Sequence, residues 1–77
     1  METRYVIELD LYGDEPIEWA ATYGCSARKI SQFDVYVISG TFGQVAALMH
    51  EYFVEQAGAD LTELLEHMAM IQKVTVV

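Results

Sequence analysis

The sequence predicts a small α+β domain in which two to three helices cover one face of an antiparallel sheet. Three observations lead there. Segments that alternate apolar and polar residues occur near both ends and in the middle of the chain. Between them run stretches with the three-and-four apolar spacing of helices. The length, 77 residues, leaves room for a single domain, 1–77. The elements read β-α-β-β-α-α-β, an order related to the ferredoxin-like sandwich with one additional short helix.

Residues 4–12 form the first predicted strand. Tyr5, Ile7, Leu9 and Leu11 fall on one face, and Val6, Glu8, Asp10 and Tyr12 on the other, wet one. A short helix follows over 15–23. Asp14 can cap it, Pro16 sits where its missing N–H costs little, and Gly24 suits the stop. Ile17, Ala20 and Ala21 are its expected buried face, with Trp19 and Tyr23 on a neighbouring one. Residues 25–39 read as extended, either a hairpin of 26–30 and 33–39 broken near Ser31-Gln32 or one long bulged strand. The second half sets Phe33, Val35 and Val37 against Asp34, Tyr36 and Ile38.

The clearest helix spans 42–56. Thr41 and Gln44 make a Thr-x-x-Gln capping box, and Phe42, Val45, Ala46, Met49, Tyr52, Phe53 and Gln56 make the stripe expected to enter the core. Gly58 ends it. Asp60 and Glu63 open a third helix to about Met70, with Leu61, Leu64, Leu65 and Met68 as its stripe. Residues 73–77 close the sheet.

Composition narrows function more than fold does, since this architecture hosts many unrelated roles. Hydrophobic residues make up 53% of the chain, above the usual range of about 45–50%. A domain this small cannot hide them all, so a homodimer or a monomer with one sticky face is expected. Twelve acids face four bases, a formal charge of −8. That disfavours direct contact with nucleic acid or an anionic membrane and favours a basic partner. Acidity that merely keeps a sticky protein soluble is the plainer explanation. The opening Met-Glu-Thr-Arg-Tyr lacks the basic-then-apolar order of a signal peptide, no apolar run is long enough to span a bilayer, and cytoplasmic location is expected.

Chemistry-bearing motifs are sparse. Cys25 is the lone cysteine; Arg28 and Lys29 nearby could lower its pKa, but a small buried cysteine beside a helix end is the commoner case. His50 and His67 lie seventeen residues apart, and with Cys25 they make three ligands at best, so no metal is expected. Gly40 and Gly43 precede a helix as phosphate loops do, yet no Lys or Arg occurs between Lys29 and Lys73. No cofactor and no catalysis are expected.

The charge pattern remains. Glu8, Asp10, Asp14, Glu15 and Glu18 crowd into eleven residues, with no base between Arg4 and Arg28. Glu51, Glu55, Asp60, Glu63 and Glu66 form a second uncompensated group. Like charges four apart on a helix cost a few tenths of a kcal/mol, and no base offsets them here. Trp19, Tyr23, Tyr12 and Tyr36 are candidate aromatic anchors beside the first group. The expected contact residues are Glu8, Asp10, Glu18, Trp19, Glu51 and Glu55. The expected role is a small acidic inhibitor occupying the basic, nucleic-acid-binding surface of a larger protein. Phage-type anti-defence proteins (anti-CRISPR or anti-restriction) and immunity or antitoxin proteins act in this way. The alternative is a homodimeric ferredoxin-like regulatory or assembly module that binds a small ligand or a protein partner.

Overall fold

The computed structural model describes residues 2–11, 13–30 and 35–76, and a four-stranded antiparallel sheet organises them. The strands are β1 (Glu2–Asp10), β2 (Ser26–Lys29), β3 (Val35–Gly40) and β4 (Gln72–Val76), in the spatial order β2-β3-β1-β4. That is the ferredoxin-like order. Helices α1 (Glu15–Tyr23), α2 (Phe42–His50) and α3 (Leu61–Met68) complete the α+β fold, and a π-helical segment, Glu51–Gln56, continues α2. The pairing of β2 with β3 settles residues 25–39 as two strands of one hairpin. The expectations for Tyr12, Phe33, Asp34, Val77 and the Ser31-Gln32 break lie outside the described residues.

Alternation along the central strands creates the core. In the β1–β3 register Ile7 faces Ile38 and Leu9 faces Tyr36, and all four side chains are buried. Leu11 extends this row. The helices close over it with Ala20, Val45, Leu48, Met49, Phe53 and Leu64. Glu8 and Asp10, one residue out of phase, point away from the helices and are exposed. Tyr36 spans the core, and its hydroxyl donates to the Gly13 carbonyl at 2.6 Å, so the buried ring keeps its polar end satisfied.

Local signals act at most of the predicted helix ends. Thr41 and Gln44 form both bonds of the capping box, at 3.2 and 3.0 Å. Asp60 accepts from the Glu63 amide at 2.9 Å and starts α3. Gly24 adopts φ 78°, which L side chains rarely tolerate, and its N–H reaches back to the Ala20 carbonyl. Asp14 precedes α1 as expected but makes no side-chain cap bond.

The helix stripes shift from their periodic reading. Phe42, expected in the core, is 43% exposed and packs edge-on against Tyr5, whereas Leu48 is fully buried. Phe42 opens α2 at the rim of the sheet, where little lies above it to cover a ring. In α1, Ala20 is buried as expected, whereas Ile17 and Ala21 are exposed and Pro16 is buried. In α3 only Leu64 is buried, with Leu61 and Leu65 both 62% exposed. α3 packs against α2 and the π-helical segment, so one narrow edge of its stripe suffices.

Leu48→Ala should therefore destabilise the domain by about 2–5 kcal/mol. Phe42→Ala should cost no more than about 1.5 kcal/mol, for its partial burial and one ring contact. Urea denaturation measures both; equal losses would contradict the described orientation of α2.

Candidate functional site

α1 and the π-helical segment lie side by side, and their contact builds a surface that is acidic and aromatic together. The Trp19 and Tyr52 rings meet at 6.1 Å between centroids, tilted by 57°. One turn further along α1, the Tyr23 hydroxyl donates to Glu51 Oε1 at 3.1 Å. The other Glu51 oxygen, Oε2, accepts from Gln56 Nε2 at 2.9 Å. Glu51 is thus held in place from both sides, and Glu18 and Glu55 are exposed on the same two elements. Glu55 Oε1 lies 4.0 Å from His50 Nδ1, a pair that is ionic only when the imidazole is protonated.

The wide turn helps assemble this group. Glu51 and Gln56 are five residues apart, and side chains at that spacing are neighbours along the axis only where the helix bonds to the fifth residue. The Ala57 amide bonding the Tyr52 carbonyl shows that pattern. Phe53 stays in the core, edge-on to Tyr52 and stacked on His67 at 4.3 Å. Tyr52 is left at the rim beside Trp19. Periodicity assigned Tyr52 to the buried stripe, so it was missed as a surface aromatic; its place between Glu51 and Glu55 was the available signal. Tyr36, by contrast, is wholly buried and contributes nothing to this surface.

Of the six expected contact residues, Trp19, Glu51 and Glu55 are linked here through Tyr52, Tyr23 and His50, and Glu18 is exposed next to Trp19 on α1. Glu8 and Asp10 do not join them. They project from the far side of β1, with the sheet between the two groups. One acidic tract in the sequence becomes two surfaces because a strand alternates its side chains while the following helix lies on one side only. All four bases, Arg4, Arg28, Lys29 and Lys73, are on strands, so the helices carry no Lys or Arg.

Elsewhere the chemistry is subdued. Burial pushes the Cys25 thiol up, the opposite of what a nucleophile requires. Cys25 helps line a polar hollow of about 250 Å³ with Arg4, Ser39, Thr41 and Gln44. Among the described residues no three His, Cys, Asp or Glu side chains gather as a metal would need, and no helix is long and apolar enough to cross a membrane.

Fold and surface together define a ferredoxin-like α+β domain that carries an acidic, aromatic helix face. No protein-family model, curated protein or solved structure matches the chain at a significant level.

The hydrogen bond to Glu51, together with partial burial and the charges of Glu51 and Glu55, raises the Tyr23 pKa. A raised phenol pKa means the folded state holds that proton more tightly. The resulting stabilisation is complete below the ordinary phenol pKa of about 10 and fades as pH rises through the folded value. Ultraviolet titration of the native protein should show one late-ionising tyrosine, which Glu51→Gln returns toward the ordinary range. An unchanged titration curve would mean the Tyr23–Glu51 bond does not form in solution.

Proposed function

We propose that the chain is a binding protein whose acidic helix face docks on a cationic surface of a larger protein. One observation carries the reading: Glu51 bonds Tyr23 and lies with Glu55 near it, Trp19 meets Tyr52, and the helical elements that carry them have no Lys or Arg. Aromatic anchors supply contact area at little entropic cost, and a one-signed rim steers an oppositely charged partner and rejects like-charged ones. The partner class with the densest cationic surface is the nucleic-acid-binding proteins, whose grooves neutralise phosphates. Occupying such a groove would inhibit the partner, as anti-CRISPR, anti-restriction, immunity or antitoxin proteins do. It would act in the cytoplasm. Duplex DNA presents a charge about every 1.7 Å of axis, far denser than three carboxylates and their neighbours. Shape and the aromatic rings must therefore carry part of the affinity. A homodimeric assembly module is the second reading, favoured by the uncovered apolar face of the sheet.

Affinity capture from lysate at low and high salt, with native and variant baits, tests the first reading. The native protein should retain a basic protein at low salt and release it at high salt. Glu51→Lys combined with Glu55→Lys should weaken retention about tenfold or more and flatten its salt dependence. Trp19→Ala should weaken retention and leave the salt dependence unchanged. Equal retention by the charge-reversed bait would refute the electrostatic reading.

A further inference from the structure

Among the described residues, apolar side chains and both signs of charge meet on the side of the sheet opposite the helices. Half-buried Val6, Val35 and Val37 form its centre. Ile30, whose amide bonds the Val35 carbonyl, and Val74 and Met70 stand exposed around them. Met70, Val6, Val37 and Gln72 also border a shallow groove of about 280 Å³. By strand register Arg4 and Arg28 share this face with Glu8 and Asp10. The helices and their caps carry Asp14, Glu15, Glu18, Glu51, Glu55, Asp60, Glu63 and Glu66, with no Lys or Arg.

We propose that this sheet face docks a second copy of the chain, forming an isologous dimer about a two-fold axis along β3. Charge selects the occupant. Two molecules of charge −8 repel through their helices, whereas among the described side chains the sheet face sets Arg4 and Arg28 beside Glu8 and Asp10. In one row across the sheet, Val37 is flanked by Arg28 on β2 and Glu8 on β1. A two-fold along β3 stacks Val37 on Val37 and sets Arg28 of each copy over Glu8 of the other. Both pairs form at once, as self-complementary interfaces require. The edge strands are poorer meeting points, since β2 carries Arg28 and Lys29 and β4 carries Lys73, and charged edges resist strand addition. The exposed Leu61 and Leu65 of α3 offer apolar area too, but Asp60, Glu63 and Glu66 beside them would meet their own copies. With strands ~4.8 Å apart and ~3.3 Å of rise per residue, the sheet face is roughly 20 by 20 Å. That is about 400 Å² from each copy, below the ~1,200 Å² total at which stable interfaces begin, so the dimer is weak and reversible. The proposal rests on the assembly-module reading and is independent of the basic-partner reading.

Sedimentation velocity of the full chain from low micromolar to millimolar concentration tests it. The native protein should pass from monomer to dimer. Arg28→Glu alone and Glu8→Arg alone should each weaken the dimer at least about tenfold, since each sets like charges face to face twice. An equimolar mixture of the two variants should recover it, because both cross-pairs are then opposite in sign. Val37→Lys should abolish the dimer and Leu65→Lys should leave it intact. Both charged sites are on the exposed face, and circular dichroism checks that the variants fold. A dimer lost with Leu65→Lys and insensitive to Arg28 and Glu8 would overturn the sheet interface and leave the assembly reading standing. A monomer at every concentration would end both.

Discussion

The molecule is organised by one row of side chains: Ile7 against Ile38 and Leu9 against Tyr36, held opposite each other by the β1–β3 register. A slip of one residue would turn this row to the wrong side of the sheet and bring Glu8 and Val37 beneath the helices. The penalty for burying an unpaired carboxylate makes that register decisive. Once it is set, the sheet has one apolar face that must be covered, and the helices among the described residues lie over that face. Both surfaces of functional interest descend from this constraint, one built on the covering layer and one left uncovered.

Much of the architecture was legible in the sequence because its signals were local. Alternation in β1, the Thr41–Gln44 box, Asp60 at the head of α3 and the Gly24 stop each depend on residues a few positions apart, and each acts where expected. The rotation of each helix about its axis was less legible. A three-and-four stripe says that a face is buried, but not which edge of it meets the sheet. Phe42 and Leu48 both belong to apolar sectors of α2, and only the position of the helix start over the sheet rim decides between them. The π-helical turn was invisible for a related reason. Its apolar spacing still satisfies a helical template, and the wider bonding is supported by a contact with α1, through Tyr23 and Glu51, that no local pattern contains.

The candidate surface divides along the same line. The helix acids and aromatics come together because α1 and the π-helical segment are neighbours in the helical layer, a tertiary fact. Grouping Glu8 and Asp10 with Glu18 followed nearness in the chain. Nearness in the chain ceases to mean nearness in space when a strand gives way to a helix, since alternate strand residues face opposite ways. The net charge of the chain is therefore a poor guide to any one surface. A net charge of −8 conceals a helical layer with carboxylates and no Lys or Arg, and an open sheet side where Arg4 and Arg28 stand with Glu8 and Asp10.

This asymmetry has a consequence for association. If acidity served solubility alone, carboxylates would be equally useful on every side, and the few bases would be free to fall among them. Instead the bases lie on strands: by register Lys29 and Lys73 share the helix side at the sheet edges, and Arg4 and Arg28 the open side beside exposed valine, isoleucine and methionine. Like-charged molecules at close range are pushed into the orientation that keeps their strongest fields apart, and for this chain that orientation brings the open sheet faces together. The same arrangement turns both acidic helix faces outward, one at each end of the pair. Any cationic partner would then meet two equivalent docking surfaces with no overlap between the sites. As proposed, self-association and partner binding would use opposite sides of one sheet, and the physics that favours the first would leave the second unobstructed.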